Sequence, residues 1–167
     1  MRESAVSMLL RILDEGYDRK AWQGPNLKSS LRGVRAAQAA WRPGRGRHNV
    51  WELAVHCAYW KYAVWRLLAG EKKGAFAPKG SNWFVRPERR AGAATERAWR
   101  EDLAILDATH RRLREAVAGL RDAELAKRLP GSKYRTDTLV YGVASHDAYH
   151  TGQIQVVKRL WKDRKKG

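Results

Sequence analysis

The stretch Ser145-His146-Asp147-Ala148-Tyr149-His150-Thr151-Gly152-Gln153-Ile154 decides how the rest of this sequence is read. Its two histidines stand four apart in a run of helical periodicity. Four residues are about one turn, so both imidazoles leave one helix face, with Cβ atoms about 5–6 Å apart. Leu139, Val143, Val157 and Leu160 fall on that same face. The histidines therefore point inward. A buried polar ring left unpaired is costly. Two neighbouring inward imidazoles need either a shared metal ion or separate hydrogen-bond partners, and the spacing leaves both open.

Outward from this stretch, the periodicity predicts a long helix over about residues 136–161 and three more before it. Val6, Leu9, Leu10, Leu13 and Tyr17 make one apolar face of a helix over about 2–17. Asn26 can cap a short helix that carries Leu27 and Leu31. Trp41-Arg42-Pro43-Gly44-Arg45-Gly46-Arg47 reads as a turn-rich basic loop. A second long helix starts near His48 or Asn49 and stops at Gly70, with Leu53, His56, Trp60, Ala63 and Leu67 as its inward stripe. A third runs from an expected N-cap at Thr95 to about Leu120. Trp99, Leu103, Leu106, His110, Leu113, Val117 and Leu120 form a seam alternating by fours and threes. Asp122 can cap a short turn. No segment reads as a strand. Four long amphipathic helices in 167 residues predict an all-α, single-domain four-helix bundle over 1–167.

His56 lies on the inward stripe of the second helix, as His146 and His150 do on the fourth. Three neutral imidazoles from two helices, with positions left open, is a pattern of catalytic metal sites. Cys57 turns about 100° away from His56 on an ideal helix and reads as a packed thiol. His110 reads as a core histidine with a hydrogen-bond partner, and His48 as a capping or exposed one. The series His146-Asp147-Ala148-Tyr149-His150 also looks like the zinc-protease pattern H-E-x-x-H. Its Asp reaches less far than Glu, and no further histidine motif follows.

The formal net charge of +17 is the strongest bulk feature. Eight Lys or Arg stand between Asp18 and Glu52 with no acid among them, and the tail adds Lys162, Arg164, Lys165 and Lys166. Such a surface suits polyanions or acidic small substrates. No nucleic-acid reader motif is evident, and most of the eight Trp stand at core-like offsets. Specific nucleic-acid recognition is therefore not expected. Lone Cys57 rules out an internal disulfide and suits a reducing compartment. No apolar run is long enough for a membrane span, and the start does not read as a signal peptide. The expected location is the cytoplasm.

Three segments carry a family resemblance: Trp51-Glu52-Leu53-Ala54-Val55-His56, Gly80-Ser81-Asn82-Trp83-Phe84, and His146-Asp147-Ala148-Tyr149-His150-Thr151-Gly152-Gln153-Ile154. The sequence resembles the DinB/YfiT-like metalloenzymes over almost its whole length. The resemblance implies a bundle with up-down-down-up connections and a divalent metal, commonly nickel or zinc. It also implies that His56, His146 and His150 are the ligands. Thiol-dependent relatives, bacillithiol transferases and a mycothiol-dependent isomerase, imply a small-molecule substrate and a low-molecular-weight thiol. Within that frame Glu52 is expected to take a proton or orient His56, and Gln153 to reach the open side of the metal. Trp83 and Phe84 are expected either as a lid on the site or as plain packing. The alternatives are a non-catalytic metal-binding bundle, which could be a homodimer, and a basic polyanion-binding module.

Overall fold

A computed structural model describes residues 3–87 and 93–164. The tail residues Lys165 and Lys166 lie outside the described residues, as do 88–92 of the long connection before the third long helix. Among the described residues seven helices follow in order: α1 (Ala5–Tyr17), α2 (Leu27–Leu31), α3 (Ala36–Ala40), α4 (Val50–Leu68), α5 (Ala93–Ala118), α6 (Asp122–Leu125) and α7 (Thr136–Asp163). No strand occurs among the described residues.

The starts of α1, α2 and α4 follow from local chemistry. Ser4 caps α1, Asn26 forms a capping box with Ser29 at α2, and Asn49 accepts the Glu52 N–H at α4. α5 begins at Ala93, so Thr95 lies inside the helix and does not cap it. Asp122 does not cap its own turn. Its carboxylate takes the Ala5 and Val6 N–H groups instead, at 3.0 Å each, and so caps α1 from across the bundle.

The directions of the four long helices can be read from their contacts. Trp51, early in α4, meets Trp99 and Asp102 early in α5, while Trp65 meets Arg112 further along, so these helices run parallel. On α7 the order reverses, His56 meeting His150 and Lys61 meeting Asp147. α1 opposes α5 through Tyr17–Asp107 and Asp14–Arg114. The result is an up-down-down-up bundle. α1 and α7 approach closely at Gly16, where a Cβ would meet the Ala144 carbonyl oxygen at 3.1 Å.

The core falls into two apolar clusters. One gathers α2, α3, the first half of α4 and the last turns of α7; the other gathers α1, Val64, Leu113, Val117 and the first turns of α7. Between them runs a buried polar layer made of Lys61, His110, Asp147 and Thr151. The apolar faces expected on α1 and α5 are the buried ones. α4 differs, since Val50 to Ala58 is buried on every side and has no single stripe. Trp60 and Leu160, both expected inside, are 40% and 46% exposed. Only Trp51 and Trp99 of the eight tryptophans are fully buried, and Trp22 is almost wholly exposed. A helix offset places a ring toward the core side, but a ring as large as indole often reaches past the core edge.

Candidate metal centre

α4 brings His56, and α7 brings His146 and His150, to one point on the bundle. The Nε2 atoms of His56 and His146 lie 3.0 Å apart, as do those of His146 and His150. These three residues form a group whose nitrogens could hold a metal ion.

The outer hydrogen bonds decide what those nitrogens can be. His56 Nδ1 is 2.6 Å from the Asn82 carbonyl oxygen, which only accepts, so Nδ1 carries the proton. His150 Nδ1 is 2.6 Å from Gln153 Oε1, while Gln153 Nε2 donates to the Tyr149 hydroxyl, and this again places the proton on Nδ1. Both Nε2 atoms therefore present lone pairs. His146 Nε2 faces both of them with at most one proton, and its Nδ1 is buried without a partner. No arrangement of protons on three neutral rings satisfies this cluster. One cation would. A 3.0 Å separation also fits two nitrogens at about 2.1 Å from one ion with an angle near 90°.

Electrostatics keep the rings neutral. Burial lowers His146 to about 3, with His150 and His56 adding repulsion. Burial likewise lowers His150 to about 4 and draws His56 down. At neutral pH all three are unprotonated, as metal ligands must be.

The segment after Gly80 holds this arrangement. Asn82 sits in the left-handed region at φ 63°, which a short amide side chain tolerates. That turn aims its carbonyl at His56, while its side chain accepts the Trp60 indole N–H at 3.0 Å. Trp83 stacks between two imidazoles, 3.9 Å from His56 and 3.7 Å from His48, almost parallel to both. Phe84 is buried against Tyr59 and Phe76. Glu52 does not touch His56. Its carboxylate binds Arg42 and His48 and accepts the Arg86 N–H. Burial alone would raise this carboxyl, but Arg42 and His48 outweigh burial and hold it below its usual range. Gln153 lies on the outer edge of His150, away from the three converging nitrogens.

Directly behind the histidines, Lys61 pairs with Asp147, both side chains at 0% exposure. Burial pushes the Asp147 carboxyl up and Lys61 draws it back. Lys61 was the missed residue, although a lone cation within Ala58-Tyr59-Trp60-Lys61-Tyr62-Ala63-Val64 was a visible signal. Cys57, Asp147 and His146 form a second group of potential ligands. Its carboxylate is already paired, and burial pushes its thiol well above the usual range. The three-histidine set has the free lone pairs. His110 is in the core as expected, stacked on Tyr17 at 3.9 Å, but neither ring nitrogen has a hydrogen-bond partner. His48 is half-exposed and bonded to Glu52 at 3.1 Å.

A family model described as the DinB superfamily matches residues 20–154. No match was found among curated proteins or among solved structures. No described helix is long and apolar enough to cross a membrane.

Proposed function

The chain belongs to the DinB superfamily, and on that premise we propose that His56, His146 and His150 hold one divalent metal, nickel or zinc, for chemistry on a small molecule. The observation that supports this most is the set of lone pairs that no proton placement can satisfy. When bound, the ion would supply Lewis acidity, lowering the pKa of a water or of a low-molecular-weight thiol toward neutrality. The reaction class is hydrolysis or thiol transfer to a small electrophile.

The protein's own groups set up that reaction. Asn82 and Gln153 fix the tautomers of His56 and His150 through their Nδ1 protons, so both inner nitrogens stay available. Glu52 works one step further out. It anchors His48 and Arg42, and His48 in turn backs the Trp83 ring against His56. A groove of about 890 Å³ leads to the cluster, with Arg47, His48, Trp83, Tyr149, His150 and Gln153 in its lining. It has room for a thiol of tripeptide size, and Arg47 supplies a cation to draw an anionic one in.

The test is elemental analysis of protein purified without a histidine tag, followed by a screen of thiol transfer and hydrolysis. About one divalent ion per chain is expected, mostly lost in His150→Ala. Unchanged metal content in the triple alanine variant of His56, His146 and His150 would overturn the proposal.

A further inference from the structure

A second cleft, of about 310 Å³, opens on the opposite flank of the histidines, toward the start of α7. Its lining is almost wholly apolar and includes Trp60, Tyr134, Leu139, Tyr141 and Val143, with His146 at one end. Three of its aromatic rings, Trp60, Tyr134 and Tyr141, are 40–50% exposed. Aromatic surface left open beside a cluster of converging nitrogens is a mark of a ligand site. Gly142 also lines it, inside α7, where glycine is disfavoured against alanine. Packing does not demand that glycine, because an added Cβ would meet no atom within 4 Å. A side chain there would instead stand in the cleft.

We propose that this cleft binds an uncharged aromatic ring carried by the molecule whose polar end reaches His56, His146 and His150. A dry cavity of about 150 Å³ holds benzene, so the larger volume here suits a substituted or fused ring. Trp60, Tyr134 and Tyr141 offer edges and faces for ring-on-ring contact. No Lys, Arg, Asp or Glu lines the cleft, so the lining itself offers no partner for a charge, although Lys133 Nζ stands 5.2 Å from the centroid of the Tyr134 ring at its edge. The larger groove, which carries Arg47, His48 and Gln153 among apolar residues, and the apolar cleft meet the cluster from two sides, one suited to a thiol and the other to the ring of its electrophile. Assigning the ring's bearer as substrate rests on the metal-site reading above; the binding of the ring does not.

The probe is 2-naphthol, titrated by calorimetry into metal-loaded protein and into chelated protein. Saturable binding is expected in both. Gly142→Leu should weaken it at least tenfold with metal content unchanged, and Tyr141→Ser should weaken it severalfold with little change in melting temperature. Equal affinity in both variants and the parent, or no saturable binding, would overturn the proposal. So would a dimer that Gly142→Leu splits into monomers, since a second copy would then cover this face. Protein that takes the ring but no metal would sink the metal reading and leave this one standing.

Discussion

Replacing Lys61 with Met should be among the most damaging single changes to this protein outside its apolar core. Lys61 and Asp147 are both at 0% exposure, and their bond joins α4 to α7. Methionine nearly matches the lysine stem in length, so little packing is lost. What remains is a buried carboxyl that Lys61 no longer draws down, so it is driven to take a proton, and its Oδ1 already lacks a partner. Breaking a buried pair in this way costs about 3–5 kcal/mol. For a chain of this size each kcal/mol shifts the melting temperature by about 2–4 °C, giving a fall of roughly 6–20 °C. The companion variant, Lys61→Met with Asp147→Leu, removes both charges, and such replacements are often neutral or stabilising by about 1–4 kcal/mol. Urea denaturation of the parent, both single variants and the double variant closes the cycle. The double should be close to the parent and both singles far below it. If Lys61→Met costs less than about 1 kcal/mol, the pair is not dry and the reasoning fails.

Trp83→Ala removes the ring stacked on His56 and should weaken metal affinity about tenfold, the low end for a group supporting a ligand; affinity equal to the parent, by competition with a chelating dye, would make Trp83 a wall and no more. Metal-free protein should lose stability as pH falls from about 6.5 through about 4 toward 3. The unfolded histidines take up protons near 6.5, while folded His150 and His146 wait until about 4 and about 3, so stability is full only above that window. A melting temperature unchanged between pH 7 and 4.5 would contradict this. Chelation should leave the helical circular dichroism largely intact, because two apolar clusters hold the bundle without the ion; a coil spectrum at 25 °C would refute it. Any binding to DNA should be weak and fall steeply with salt, since it would rest on phosphate neutralisation by residues such as Lys162 and Arg164. A complex with one sequence that survives about 150 mM salt and competitor DNA would reverse this expectation.

α2 and α4 were legible from a start signal, the caps Asn26 and Asn49, and α1 and α5 from a periodic apolar face. Leu9, Leu13, Leu106 and Leu113 are buried as their offsets require. The convergence of His56, His146 and His150 was legible for the same reason, since a helix face is a one-dimensional rule. The supports of the site were not. The Asn82 carbonyl reaches His56 through an irregular backbone, and no side-chain spacing encodes where a carbonyl points. Glu52 stands one turn before His56, and helix spacing alone aims it at that ring. Its nearest cation, Arg42, came from a loop whose path periodicity does not fix. Lys61 met Asp147 across 86 residues of sequence, and only the packing of two helices makes that pair.

The three histidines are synthesised at two separate times. His56 and His146 are separated by 90 residues. At about 5–20 residues per second of synthesis, roughly 5–18 seconds pass between the first and the second. Through that interval a growing chain displays at most one inward imidazole of the set, a poor competitor for any ion in the cell. Both remaining histidines then arrive together, four residues apart, on α7. An ion held by this set would therefore be chosen late, by a framework whose spacing is already fixed, and not by the nascent chain.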